Sequence, residues 1–187
     1  MQQEPRVIVM GYSEAGMFLR APGAAEVVGV VSVHGRREYG VETEAGVPRL
    51  DLVFDDVDVP VAGDTRAWAE VESRRRWNAA NGLIEVAPTP ADVRAVVDFA
   101  DQMRGRGGVV LCHCGGGMSR APAVAVILLA AWRGPGAEER CVRDVVAARP
   151  GATPHEGLVR MADEGMGRGG RLVEAVRDAT NQPWPSL

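Results

Sequence analysis

The segment that most constrains the fold is GGVVLCHCGGGMSRAPAVAVILLAAW, residues 107–132, because both of its apolar ends must be buried. The first end, 107–112, is short and apolar, which predicts a strand within a sheet that is covered on both faces. The second, 120–132, is apolar on every side, which predicts a helix inside the core. The glycine-rich residues between them therefore connect the end of a buried strand to the start of a buried helix.

The remaining sequence predicts strands and helices that alternate. Further strands are expected at 6–10, 25–33 and 49–54. Helices are expected to begin near Ser13, after Asp64, and at Pro90 with Thr89 as N-cap. The last third predicts three more helices and no strand. This order is typical of a single α/β domain over residues 1–180, with a central mixed sheet of about four to five strands flanked by helices and a helical C-terminal third. Residues 181–187 are expected to form a loose tail.

Composition and charge exclude several classes of protein. Hydrophobic residues make up 46% and charged residues 25% of the chain, as in soluble globular proteins. The net charge of −4 disfavours nucleic acid and anionic membranes, so neither is expected as a partner. Only three cysteines are present, and the N-terminal apolar stretch is too short for a signal peptide, so we expect a cytoplasmic protein. The oligomeric state is left open.

The residues between the predicted strand and helix, HCGGGMSR, are suited to binding a tetrahedral anion next to a nucleophile. A tight loop that enters a helix N-terminus directs backbone N–H groups into one concavity. Gly115, Gly116 and Gly117 allow the backbone to approach the anion closely, and Arg120 adds a planar, two-pronged donor. The same groups would stabilise Cys114 as a thiolate, which is an in-line nucleophile toward a phosphorus atom above it.

This segment resembles the His-Cys-x-x-Gly-x-x-Arg signature of the cysteine-dependent protein tyrosine and dual-specificity phosphatases. The resemblance extends to ARPGATPHEG downstream and to LVFDDVD upstream, and within the family it is greatest to small bacterial predicted tyrosine phosphatases. It implies hydrolysis of a phosphoprotein or a small aryl phosphate through a cysteinyl-phosphate, without metal or cofactor. It also implies a phosphate-binding loop formed by Gly115, Gly116, Gly117, Met118, Ser119 and Arg120. His113 is expected to support this loop through hydrogen bonds around it and to help tune Cys114.

The resemblance also implies a general acid just after the third strand. Asp56 best matches the family position, Asp58 is the reserve, and Asp55 is a third candidate. The distance in sequence from Asp56 to Cys114 is long for compact relatives. The extra length lies in residues 60–88, which we expect to form an insertion or lid beside the site.

Two positions depart from the family pattern. Alanine stands at position 121, directly after the arginine, where relatives usually carry Ser or Thr to assist breakdown of the phosphocysteine. Ser119 lies two positions away, and the sequence leaves open whether it acts instead. His155 stands where relatives often carry Asn. The first departure predicts slow turnover.

Alternative interpretations of the same residues exist. A rhodanese-like sulfurtransferase also uses a cysteine in an anion-binding loop, although the arginine at the sixth position and the preceding histidine disfavour it. A phosphate-recognising binding module with little turnover is a second alternative. Zinc binding by Cys112, His113 and Cys114 is disfavoured because strand alternation separates His113 from both cysteines and no second ligand pair is present. Cys112 is instead expected to pack in the core.

Overall fold

The computed structural model describes residues 4–35, 41, 43, 46–57, 59–82 and 85–180, so the expected tail at 181–187 lies outside the described residues. The strands are β1 (Arg6–Gly11), β2 (Val27–His34), β3 (Arg49–Val53) and β4 (Val109–Cys114). The helices are α1 (Tyr12–Phe18), α2 (Thr65–Ala80), α3 (Pro90–Met103), α4 (Arg120–Arg133), α5 (Glu138–Ala148), α6 (Glu156–Gly165) and α7 (Arg171–Thr180), with a short 3-10 helix at Pro22–Glu26. The predicted α/β architecture and helical last third are confirmed.

The four strands form one sheet in the order β1-β4-β2-β3, and each neighbouring pair is parallel. A mixed sheet was expected, and within the described residues this expectation is wrong. Parallel pairing requires the chain to return to the same edge of the sheet between paired strands, and long connections allow this. As a result all four carboxyl ends meet at one edge, where ligands bind in open α/β sheets. Strand β4 lies inside the sheet, and its last residue, Cys114, is in register with Gly11 of β1.

The sheet separates two hydrophobic clusters. The larger cluster lies on the face that carries Cys112 and Cys114 and includes residues of helices α3 to α7. The smaller cluster contains Leu111 and lies on the α1 side. Helix α4 is buried along its first eleven residues, as its uniformly apolar sequence predicts.

Two helices upstream of β4 begin where the sequence predicts. Thr89 is the N-cap of α3, and its N–H donates to Asp92 at 2.7 Å. Asp64 is the N-cap of α2 and accepts from the Ala67 N–H at 2.9 Å. Within α2, Val71 is the one buried residue, so this helix is thinly packed. Among the helices of the described ranges, none combines the length and the apolar character needed to cross a membrane.

Candidate active site

Cys114 lies at the foot of the loop that joins β4 to α4. Its side chain is 3% exposed and lies on the face of the larger cluster. The loop runs from Gly115 to Ser119, and Arg120 is the first residue of α4. The sheet and the buried helix therefore fix both ends of the predicted phosphate-binding loop.

Gly117 is the glycine that this loop requires most strictly. Its φ is +70°, and a Cβ at this position would lie 2.6 Å from the Gly11 nitrogen. Any other residue would therefore be strained and would collide with the end of β1. Close approach of the backbone was predicted for all three glycines, but among Gly115, Gly116 and Gly117 a positive φ occurs at Gly117 alone.

Four carbonyl groups of the loop are held from outside by hydrogen bonds. Backbone N–H groups donate to three of them: Tyr12 to Gly115 O at 2.9 Å, Thr153 to Met118 O at 2.8 Å, and His155 to Ser119 O at 3.1 Å. The Arg149 side chain donates to the fourth, Gly116 O, through Nη2 at 3.1 Å. In a trans peptide the next N–H points opposite to the carbonyl. The N–H groups of residues 116, 117, 119 and 120 therefore point away from these donors, as an anion-binding nest requires.

The side chain of Arg120 is hydrogen-bonded to the backbone at the end of β3. Its side chain is 6% exposed, and Nη1 donates to the Phe54 carbonyl at 3.0 Å. Phe54 directly follows β3 and precedes the aspartates that the sequence offers as general acids. A buried guanidinium at a helix N-terminus adds positive charge where the loop amides already favour an anion.

The structure separates the candidate acids. Asp56 contacts the loop, since Ser119 Oγ donates to Asp56 Oδ1 at 2.7 Å. Asp55 is used elsewhere: it accepts from the Val86 N–H at 2.8 Å and its own N–H donates to Val86 O at 2.7 Å. Asp58 lies outside the described residues. Asp56 is therefore the candidate whose contact with the loop is described.

His155 holds the start of α6 against residues 54–57, the segment that contains Asp55 and Asp56. Its Nδ1 accepts from the Leu158 N–H at 3.3 Å, so the ring proton sits on Nε2. Nε2 donates to the Val57 carbonyl at 3.0 Å and lies 3.8 Å from Asp56 Oδ1. The histidine that replaces the family's asparagine thus both caps a helix and fixes the residue after Asp56.

Arg149 and Glu14 form a clamp on the loop that no sequence pattern predicted. Arg149, which donates to the Gly116 carbonyl, also donates to Glu14 Oε1 at 3.0 Å. Glu14 Oε2 in turn accepts from the Gly11 N–H at 2.7 Å. The hydrogen bond from Arg149, followed by that from Gly11, lowers the pKa of Glu14. Glu14 stands three residues after Gly11, the N-cap of α1, and this spacing is typical of the hydrogen bond between them. It does not indicate the contact with Arg149.

His113 does not support the loop in the way expected. It is 1% exposed, and neither ring nitrogen has a hydrogen-bond partner among the described residues. Its strand neighbours, Met10 and Ser32, are in register on β1 and β2, and its ring lies 6.4 Å from that of Tyr12. Alternation along β4 directs it to the face opposite Cys114. Burial lowers the pKa of His113 to about 4.

Cys112 packs in the larger cluster, as predicted, and is fully buried. Burial, with a smaller contribution from Cys114, raises the pKa of its thiol, so Cys112 stays protonated. Within the described ranges, no three His, Cys, Asp or Glu side chains are grouped as metal ligands would be.

The expected insertion at 60–88 contains α2, which borders a groove of about 400 Å³. The groove is lined by Val59, Pro60, Val61, Asp64, Ala67, Glu70, Val71, Arg74 and Glu156. Glu156 follows His155, and Val59 lies against Gly157, so the groove adjoins the acid-bearing segment. Its role as a lid stays a prediction.

A thiol at the end of an inner parallel strand, a loop whose carbonyls turn outward and a buried arginine are the groups that nucleophilic attack on a bound oxyanion requires. Solved structures identify the class of fold. The structure of human DUSP28 is 25% identical and matches with a TM-score of 0.50 over 86% of this chain and 90% of that one. PTPMT1 is 18% identical, with a TM-score of 0.50 over 95% and 96% of the two chains.

The human tyrosine phosphatase-like serine/threonine/tyrosine-interacting protein shares the same fold at 17% identity, with a TM-score of 0.50 over 85% and 89% of the two chains. No protein-family model and no curated sequence matches the chain. The fold is that of the dual-specificity phosphatases, which confirms the resemblance seen in the sequence. The bacterial subgroup stays a prediction.

Proposed function

We propose that this protein is a cysteine-dependent phosphomonoester hydrolase of the tyrosine or dual-specificity type. The observation that carries the proposal is the outward turn of four carbonyls in the loop that follows Cys114, which leaves the following amides facing away from the surrounding donors and available to an anion. The fold shared with human DUSP28 supports it. The substrate class is a phosphorylated protein or a small aryl phosphate.

In the first step, the Cys114 thiolate attacks phosphorus while the loop amides and Arg120 bind the non-bridging oxygens. The S–P bond forms and the bond from phosphorus to the leaving oxygen breaks. Asp56 gives its proton to that oxygen, so a neutral alcohol or phenol departs. Because the donors are already in position, little reorganisation is needed as charge develops.

In the second step, water attacks the phosphocysteine from the side that the leaving group has vacated. The Asp56 carboxylate accepts a proton from the water, the new P–O bond forms, and the S–P bond breaks. Inorganic phosphate leaves and Cys114 returns to the thiolate. Cys112 takes no part, since it remains a buried thiol.

The test is hydrolysis of p-nitrophenyl phosphate by the wild-type protein and by Cys114→Ser. We expect wild-type turnover and a loss of at least about 1,000-fold in Cys114→Ser, because an alcohol at this position is a far weaker nucleophile. Cys141→Ser is the matched control, since Cys141 is a buried core residue of α5, and it should retain activity.

Two other results would support the alternatives. Sulfur transfer from thiosulfate to cyanide, without phosphate release, would indicate a rhodanese-like enzyme. Tight binding of a phosphotyrosine peptide without hydrolysis would indicate a phosphate-recognising module. Either result would contradict the proposed function.

The proposal includes a cytoplasmic location. Its support is that the three cysteines, Cys112, Cys114 and Cys141, are all unpaired, as is usual in a reducing compartment. Fractionation of the cells that express the protein tests it, and recovery outside the cytoplasmic fraction would contradict it.

A further inference from the structure

The segment that carries Asp56 is held by hydrogen bonds at the residues on either side of it, 54, 55 and 57. Arg120 donates to the Phe54 carbonyl at 3.0 Å, and His155 donates to the Val57 carbonyl at 3.0 Å. Asp55 is paired through both its backbone and its side chain with Val86. These backbone contacts leave the orientation of the Asp56 carboxyl to its own side-chain contacts, and that side chain is 46% exposed.

The Ser119 hydroxyl fixes the orientation of the Asp56 carboxyl. Its hydroxyl donates to Asp56 Oδ1 at 2.7 Å, which is a short hydrogen bond of the kind that a carboxylate accepts. Ser119 is itself fixed, because its carbonyl accepts from the N–H groups of Ala123 and His155, both at 3.1 Å. With Oδ1 engaged, Oδ2 is the oxygen that is left to hold the transferable proton.

We propose that Ser119 is the positioning residue of the general acid, a role that rests on the proposed phosphatase function. Its hydroxyl holds Oδ1 so that the proton on Oδ2 faces the leaving oxygen of a phosphate bound in the loop. When that proton moves to the leaving group, Asp56 becomes a carboxylate, and the hydrogen bond from Ser119 strengthens with the new charge. The serine therefore stabilises the transition state more than the ground state.

This assignment also answers whether Ser119 replaces the hydroxyl that is missing at position 121. The Ser119 hydroxyl is directed to Asp56, so it serves protonation of the leaving group in the first step. Ala121 leaves the second step without that assistance.

The experiment compares two substrates that differ in their need for an acid. Phenyl phosphate releases a strongly basic phenolate and needs protonation, whereas p-nitrophenyl phosphate releases a weak base and does not. We expect Ser119→Ala to lower kcat/KM for phenyl phosphate about tenfold and for p-nitrophenyl phosphate less than about twofold. Ser119→Thr keeps a hydroxyl and should restore the wild-type ratio. Ser73→Ala, at an exposed serine of α2, is the matched control and should change neither rate.

A double-mutant cycle separates positioning from a structural role. If Ser119 acts through Asp56, then Asp56→Asn with Ser119→Ala should be no slower on phenyl phosphate than Asp56→Asn alone. Equal losses on both substrates, or losses that multiply in the double variant, would overturn the inference while leaving the phosphatase proposal intact. An inactive wild-type protein would instead overturn the phosphatase proposal.

A crystal structure of Ser119→Ala gives a readout that does not depend on turnover. We expect the Asp56 carboxyl to rotate away from the loop while Phe54 and Val57 keep their hydrogen bonds. An Asp56 carboxyl in the wild-type position would show that the segment alone orients it, and the inference would be wrong.

Discussion

Ala121 is the residue at which the loop departs from the family pattern, and it is fully buried in the first turn of α4. Because Ser119 donates to Asp56, the proposed mechanism leaves the departure of Cys114 from phosphorus without help from a hydroxyl at position 119 or 121. Breakdown of the phosphocysteine should therefore limit turnover. Rapid mixing with p-nitrophenyl phosphate should give a burst of nitrophenolate close to one equivalent per enzyme.

The variant Ala121→Ser should restore the missing hydroxyl. We expect kcat to rise by roughly tenfold and the burst to shrink, because a hydrogen bond to the leaving thiolate lowers the second barrier. Ala123→Ser, which adds a hydroxyl to the same buried helix two residues later, is the control and should not raise kcat. A wild-type protein without a burst would contradict this prediction.

His113 should make the protein less stable in mild acid. Burial holds its pKa at about 4 in the folded state, below the ordinary value of 6.5. Between these two values the unfolded chain binds a proton that the folded chain does not, so stability falls as the pH drops from 6.5 toward 4. The expected loss is of the order of 3 kcal/mol at most.

Urea denaturation at several pH values tests this effect. In His113→Asn the free energy of unfolding should change less between pH 6.5 and 4 than in the wild-type protein. The pH dependence of the unfolding free energy that the two proteins share comes from protonation of carboxyl groups. Identical slopes in the two proteins would show that His113 does not contribute.

At the scale of elements, the turn between α6 and α7 depends on one buried carboxylate. Asp163 is 3% exposed and accepts from the N–H groups of Gly170 and Leu172, at 2.6 and 2.7 Å. It therefore satisfies donors at the start of α7 from a residue of α6, and a helix start buried without such partners is costly.

We expect Asp163→Ala to lower the free energy of unfolding by about 2 kcal/mol, because two donors lose their partner. Thermal denaturation measures the change. Asp178→Ala, which removes an exposed carboxylate from the same α7, is the matched control and should alter stability by less than about 0.5 kcal/mol. A Tm for Asp163→Ala equal to that of the control would contradict the capping role.

Elements with a strong local signal were predictable from the sequence. The strand, loop and helix around Cys114 follow from two apolar runs and a glycine cluster, and the start of α3 follows from Thr89 and Pro90. The sheet was predicted as mixed because strand direction depends on how distant strands pair, which no local pattern records. Helix α2 was recognised through its N-cap, Asp64, although its apolar face is thin.

At the scale of the whole molecule, the contacts that could not be predicted join residues far apart in the chain. Arg149 reaches Glu14 across 135 positions, and His155 reaches Val57 across 98. Residue types alone do not indicate such pairs. The sequence supported Asp56 through resemblance, and the structure adds a physical reason, the hydrogen bond from Ser119. His113 makes no described hydrogen bond to the loop because side chains alternate along β4 and place it on the face opposite Cys114.

If the protein hydrolyses phosphate esters as proposed, phosphate becomes attached to Cys114 during turnover. The most direct measurement is rapid acid quench of the wild-type protein with p-nitrophenyl phosphate, followed by mass spectrometry of the peptide that contains Cys114. We predict a phosphorylated Cys114 that accumulates during the burst and is absent in Cys114→Ser. Turnover of the substrate with no phosphate on Cys114, or with phosphate on another residue, would contradict the central claim.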